Sequence, residues 1–322
     1  MITKFRRLRR LRLTDSLRQL RKENVLVASN CIMPVFINED LSNPKEVSSM
    51  PGVYQHSFSS VVNECKEIER LGISAIILFG IPNKKDEVAT SAYDQDGVVQ
   101  RSIKMIKESG VKIPIIADTC QCEYTSNGHC GPLDSDGYVH NDETLKWLAK
   151  TAVSQAKAGA DIIAPSTMVD GMIGTIRNAL DENGYENTPI VSYGVKYASN
   201  FYGPFRDAAG SSGEFCGNRK NHQMDYANRK EAILEMEADI EEGADVIMVK
   251  PAMTYLDIIS DAEKTNLPVW AYNVSGEYSM VKASAKLGLC DEKSMVEEVL
   301  TSMFRAGADK VITYHAKDIA EY

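Results

Sequence analysis

A chain of 322 residues with 43% hydrophobic content can bury one large core or two ordinary ones. No apolar run approaches the roughly 20 residues that span a bilayer, and no apolar signal segment follows the basic N-terminus, which argues against insertion and export and predicts a cytoplasmic protein. Net charge is −9, but residues 1–24 hold nine Lys/Arg against Asp15 and Glu23, a net of +7, so residues 25–322 carry −16. A basic arm on an acidic body suits a nucleic acid, an organelle address or an acidic neighbouring subunit. The body has no basic patch to continue a nucleic-acid footprint, so a subunit contact is the expected role of residues 1–24.

After the arm comes Cys31–Ile37, a short apolar run suited to a buried strand. Seven more follow: Ile73–Phe79, Ile113–Ala117, Asp161–Ala164, Pro189–Ser192, Asp245–Val249, Pro268–Ala271 and Asp309–Thr313. Between most of them lie segments with helical spacing, such as Val61–Leu71, Leu145–Ala158, Arg229–Glu241 and Ser294–Arg305. Four strands are entered through a near-repeated phrase built on Gly72, Gly159, Gly243 and Gly307, where glycine ends a helix in the left-handed conformation. Continuous apolar strands alternating with helices imply parallel strands covered on the outside. A doubly wound open sheet would usually show a Gly-rich phosphate turn after its first strand, and none is present. The α/β class and a (β/α)8 TIM barrel over residues 25–322 are therefore expected.

The third strand leads into Asp118–Gly131, DTCQCEYTSNGHCG. Cys120, Cys122 and Cys130 form a C-x-C-x7-C cluster, with His129 beside the third thiol. Three thiolates can hold a zinc ion and leave its fourth position open, as in a catalytic site. A disulfide pair and merely adjacent buried cysteines are the alternatives. The odd total of seven cysteines fits a reducing compartment and metal ligation better than a disulfide framework.

Working groups of such barrels lie at the C-terminal ends of strands. Those ends carry Phe79, Asp118, Ser166, Tyr193 with Lys196, Lys250, Tyr272 with Ser275, and Tyr314. Two are lysines on neighbouring strands. Burial and a second ammonium both disfavour the charged form, freeing an amine to attack a carbonyl; structural ion pairs are the alternative. Between strands five and six, residues 197–226 form a long segment rich in Gly, Ser and Asn, expected to be a lid. It carries Arg206, Arg219 and Gln223, and two arginine forks can close over an acidic substrate. A surface excursion with solvated charges is the competing reading. Ser275 and Tyr314 offer hydroxyls to a second carboxylate, or only to local hydrogen bonds.

DTCQCEYTSNGHCG, APSTMVDG at Ala164–Gly171, KYASNFYGPFRDAA at Lys196–Ala209, MVKPAMTYLD at Met248–Asp257, YNVSGEY at Tyr272–Tyr278 and ITY at Ile312–Tyr314 occur together in this order. In this the sequence resembles the porphobilinogen synthase family, also called 5-aminolevulinate dehydratase, over nearly its whole length. The resemblance implies a hydro-lyase that condenses two 5-aminolevulinate molecules into porphobilinogen with loss of two waters, in tetrapyrrole (haem) synthesis. It implies an imine on Lys250 for the P-side substrate and Lys196 for the A-side one. Ser275 and Tyr314 match the P-side carboxylate binders, and Arg206, Arg219 and Gln223 the A-side ones. Cys120, Cys122 and Cys130 match zinc ligands, and Asp118 and Ser166 match polar residues lining the site. Lys196, a hydroxide held by zinc and Asp118 are the candidates for removing the A-side proton.

The family also implies a homo-octamer whose arm wraps a partner and, in many bacterial members, an activating allosteric Mg2+, here at Glu235; a solvated helix carboxylate is the alternative there. Composition, for its part, predicts no membrane and no nucleic-acid partner. Thr167 stands where family members often have Asp, and Met172 where some have Arg, positions near Ser166 that bear on lid closure or assembly. An aldolase-like barrel would explain Lys250 but leave the second lysine and the thiols without a purpose. A thiol-based metal or redox sensor would explain the thiols and the arm but not the lysines.

Overall fold

The computed structural model describes residues 6–210 and 218–322. Eight strands form its centre: β1 (Cys31–Asn38), β2 (Ala75–Ile81), β3 (Ile115–Thr119), β4 (Ile162–Pro165), β5 (Val191–Lys196), β6 (Val246–Lys250), β7 (Val269–Asn273) and β8 (Lys310–Thr313). All are parallel to their neighbours, in the order β4-β3-β2-β1-β8-β7-β6-β5. A parallel bridge between Ile163 and Ile190 links β4 to the entry of β5 and rounds the sheet into a (β/α)8 barrel.

Side chains alternate along each strand, so an apolar run buried on both faces fills two layers at once. In β2, Ile77 and Phe79 pack inside the barrel, while Ile76 and Leu78 pack outward against the helices. Burying such side chains contributes roughly 1.5–3 kcal/mol each. The outer ring includes Phe58–Arg70, Val98–Glu108, Asn141–Ala158, Met172–Glu182, Lys230–Glu241 and Glu292–Arg305. Ser57 caps the first of these by accepting from the Ser60 amide, and Asp291 caps the last by accepting from Ser294. Gly72, Gly159, Gly243 and Gly307 have φ of +74°, +103°, +103° and +119°, the left-handed turn expected where a helix hands over to a strand.

The strands extend further toward the barrel mouth than apolarity alone suggests. β3 includes Asp118, β5 runs on to Lys196 instead of stopping at Ser192, and β6 includes Lys250. Ladder hydrogen bonds continue to the mouth after the side chains have turned polar. β5 also carries a bulge. Its register runs Ser192↔Ile247, then Val195↔Val249 and Lys196↔Lys250, so three steps on β5 match two on β6. Val191 and Tyr193 face the interior, but beyond the bulge Val195 packs in the outer layer.

A hairpin of Lys45–Glu46 with Tyr54–His56 extends the β1 edge, an element without an apolar-run signal. The arm contains two short helical turns, Leu8–Arg12 and Asp15–Leu20, with no buried residue; Leu20 is 82% exposed. Among the described residues, no helix is long and apolar enough to cross a membrane.

Candidate functional site

The strand ends put most of the expected polar residues around one cavity. Asp118, Cys122, Ser166, Lys196, Arg206, Arg219, Lys250, Ser275 and Tyr314 all line it, together with the rings of Phe79, Tyr202, Phe205 and Tyr272.

The thiols converge because their loop folds back on itself. The amides of Tyr124 and Thr125 donate to the Gln121 carbonyl at 2.9 Å, and the Thr125 hydroxyl donates to the His129 carbonyl at 2.7 Å. Cys120, Cys122 and Cys130 are buried with their sulfurs within 4.8 Å of one another. The Cys120 and Cys122 sulfurs lie 3.4 Å apart, far beyond the ~2.05 Å of a disulfide. Hydrogen bonds from Cys122 and Cys130 hold the Cys120 thiol well below its ordinary pKa. Three buried, convergent soft donors, one already favoured as thiolate, fit a zinc ion. The Thr167 hydroxyl donates to the Cys120 sulfur at 3.6 Å, so this residue sits directly behind the cluster. Met172 is instead packed in the outer core and does not reach the cavity.

Lys196 and Lys250 are register partners on adjacent strands, 5% and 6% exposed, at the cavity floor. The Lys196 amine donates to the Ser166 carbonyl, and the Ser166 hydroxyl donates to Asp118 Oδ2 at 3.2 Å. The Lys250 Nζ lies 4.2 Å from the Tyr272 ring centre and 5.0 Å from that of Tyr193. Burial in this aromatic cage, followed by the Lys196 charge, lowers its pKa to about 7. Burial pushes the Asp118 carboxyl the other way, up to about 8, with the Glu123 and Cys120 charges adding to it.

Arg206 lies in the helix Gly203–Ala208, and burial and then the charge of Arg219 lower its pKa. Two guanidinium groups gathered in one half-dry place make a natural anion site. The base of the long segment is tied down: the Ala198 amide donates to the Met224 carbonyl at 2.8 Å, and the Met224 amide to the Lys196 carbonyl at 3.2 Å. Arg219 donates to the Gly128 carbonyl at 2.9 Å, joining this segment to the thiol loop. Gln223 is buried, and its Nε2 has no hydrogen-bond partner among the described residues. Part of the expected lid, residues 211–217, lies outside the described residues.

The Ser275 hydroxyl accepts from the Phe205 amide at 2.9 Å and donates to the Phe201 carbonyl at 3.2 Å, so it also fastens the segment carrying Arg206. The Tyr314 hydroxyl stands 3.4 Å from that of Tyr272. Behind both, fully buried Glu277 accepts from the amides of Met253 at 2.8 Å and Val274 at 2.9 Å, and from the Asn273 side chain at 3.2 Å. It ties the loop after β6 to the loop after β7. Glu235 is elsewhere: it sits half-buried on the outer helix Lys230–Glu241, where burial and then Asp170 raise its pKa. Glu123, buried against the cavity beside Cys122, was not anticipated from sequence. Its place inside the thiol motif was the available signal.

Residues 5–322 match the family model described as delta-aminolevulinic acid dehydratase. A delta-aminolevulinic acid dehydratase of Bacillus subtilis (strain 168) is 54% identical over 323 residues, covering 100% of this chain and 99% of that protein. One from Staphylococcus aureus (strain Mu50) is 54% identical over 321 residues, covering 99% of each. Among solved structures, delta-aminolevulinic acid dehydratase (porphobilinogen synthase) from Toxoplasma gondii ME49, in complex with the product porphobilinogen, superposes with a TM-score of 0.96 at 42% identity. The match covers 100% of this chain and 92% of that one. Full-length identity at this level, on a barrel whose mouth gathers two lysines and three thiols, makes the chain a member of the delta-aminolevulinic acid dehydratase family.

Proposed function

We propose that the chain performs its family's dehydration, joining two 5-aminolevulinate molecules into porphobilinogen with loss of two waters, through imines on Lys250 and Lys196. The observation that carries this reading is the register pair Lys196↔Lys250, two buried amines opening on one cavity. The neutral Lys250 amine attacks a substrate ketone; a C=N bond forms, the ketone oxygen leaves as water, and the adjacent C–H becomes acidic. Arg206, Arg219 and Gln223 bind the carboxylate of the A-side substrate, and Ser275 and Tyr314 that of the P-side substrate. Asp118, which accepts from the Ser166 hydroxyl, and Lys196 when its amine is free of the imine are the candidate acceptors of the A-side proton. Cys120, Cys122 and Cys130 would hold a zinc ion, which when bound would supply a Lewis acid for a substrate carbonyl.

Borohydride reduction in the presence of 5-aminolevulinate, followed by peptide mass spectrometry, tests the imines. A covalent adduct on Lys250, and a second on Lys196, is the expected result. Folded protein without any adduct sinks the reading and favours a thiol-based sensor.

The proposal extends to assembly. Residues 1–24 contact a neighbouring subunit of an octamer, a reading supported by the charge contrast and by the lack of burial along Leu8–Leu20. Glu235 carries an activating Mg2+, and free thiols suit the cytoplasm. Chelated protein should lose activity and expose the three cysteines to alkylation, and Zn2+ should reverse both effects. Added Mg2+ should then raise activity and the octamer fraction seen by size exclusion. No gain from Mg2+ removes the Glu235 site, and unchanged thiol reactivity removes the zinc site.

A further inference from the structure

We infer that Asp239, on the outer helix Lys230–Glu241 and not among the residues lining the cavity, is a positioning residue that aims Lys196 into the active site by pinning the β5 bulge through Ser192. The inference rests on the reading of Lys196 as an imine-forming amine. Strand alternation puts Val191 and Tyr193 inside the barrel, and an unbroken β5 would put residue 195 inside and residue 196 outside. One extra residue between Ser192 and Val195 reverses this parity: Val195 goes to the outer layer, and Lys196 pairs with Lys250 at the cavity.

The bulge has a specific fastening. The Gly194 amide donates to the Ser192 hydroxyl at 2.7 Å, and that hydroxyl donates to the Asp239 carboxylate. Asp239 is 8% exposed, and Gly194 leaves it room, since a Cβ there would collide with the carboxylate. Burial pushes this carboxyl up to about 7, opposed by the Ser192 hydrogen bond, with Glu242 and Glu235 adding to the rise. A carboxylate kept in an unfavourable place, bonded to the hydroxyl that fixes an irregular strand, serves the geometry of that strand.

The test compares wild type, Ser192→Ala, Asp239→Ala and Asp239→Asn by the ratio of borohydride-trapped adducts on Lys196 and Lys250, with far-UV circular dichroism and zinc content as controls. Ser192→Ala and Asp239→Ala should lower the Lys196:Lys250 ratio by roughly tenfold, the scale of one buried hydrogen bond, and leave the Lys250 adduct intact. Asp239→Asn, which still offers an acceptor oxygen, should restore the ratio to within about twofold of wild type. Hydrogen exchange in peptides spanning residues 193–196 should quicken in Ser192→Ala by a similar roughly tenfold factor. If Asp239→Ala fails to fold, Ser192→Ala carries the comparison alone. A wild-type ratio in folded Ser192→Ala overturns the inference. Wild type lacking any Lys196 adduct overturns the imine reading instead, and exchange at 193–196 then decides on the bulge: unchanged protection overturns it.

Discussion

Lys250→Ala should abolish turnover, lowering kcat by roughly 10^4-fold or more, because the proposed imine loses its nucleophile and the remaining groups act as a unit with it. Fold and zinc content should survive. The side chain sits among the Tyr272, Tyr193, Phe205 and Tyr202 rings, and among the described residues it makes no salt bridge, so its removal breaks no direct ion pair. The wild-type pH profile gives an independent check. With the amine held at about 7 by burial and by Lys196, kcat/KM should fall on the acid side, approaching roughly tenfold per pH unit. Stability has a definite sign as well. The folded pKa of about 7 lies below the ordinary 10.5, so between these values the unfolded chain holds the extra proton. The stability this group provides at high pH is therefore lost as pH falls through that window, and Lys250→Ala should flatten the slope. Substantial activity in that variant, measured as porphobilinogen formed, refutes the imine.

Glu277→Ala should be the most damaging substitution for stability, at about 3–5 kcal/mol read from denaturant midpoints. The carboxylate accepts from the Met253 and Val274 amides and from Asn273, and Asn273 in turn accepts from the Thr313 hydroxyl at 2.9 Å. Truncation leaves those donors buried without acceptors and opens a void in a site with no solvent access. Glu277→Gln keeps the shape and one acceptor oxygen, so it should cost less. A loss below about 1 kcal/mol for Glu277→Ala would show that water or a shifted loop satisfies the donors.

Sequence carried the architecture because each barrel strand is buried on both faces. Runs such as Ile113–Ala117 and Asp245–Val249 stand out for that reason, and the glycines before four strands mark the handovers. Strand ends were less legible. The apolar run Pro189–Ser192 predicts a strand that stops at Ser192, yet the ladder continues to Lys196. The polar residues at the mouth were identifiable because their types carry chemistry, and the structure gathers most of them around one cavity. Glu277 and Asp239 were not. Asp239 is one of five acids in the helix Lys230–Glu241, and only the helix's docking against a bulged strand sets it apart. Helical periodicity separates the buried face of such a helix from the wet one, but it says nothing about which polar atom lies opposite.

The pairing of Lys196 with Lys250 has a geometric consequence. Neighbouring strands in any sheet are held about 4.8 Å apart by main-chain hydrogen bonds, whatever their side chains. Two reactants tethered at paired positions therefore inherit their mutual distance from the polymer backbone itself. A substitution that keeps the register keeps that spacing, whereas one that loosens the β5 bulge changes which residues stand abreast. On the proposed imines, the barrel would turn the collision of two identical small molecules into an encounter between anchored partners, with much of the entropy of bringing them together lost on binding, before any bond forms between them.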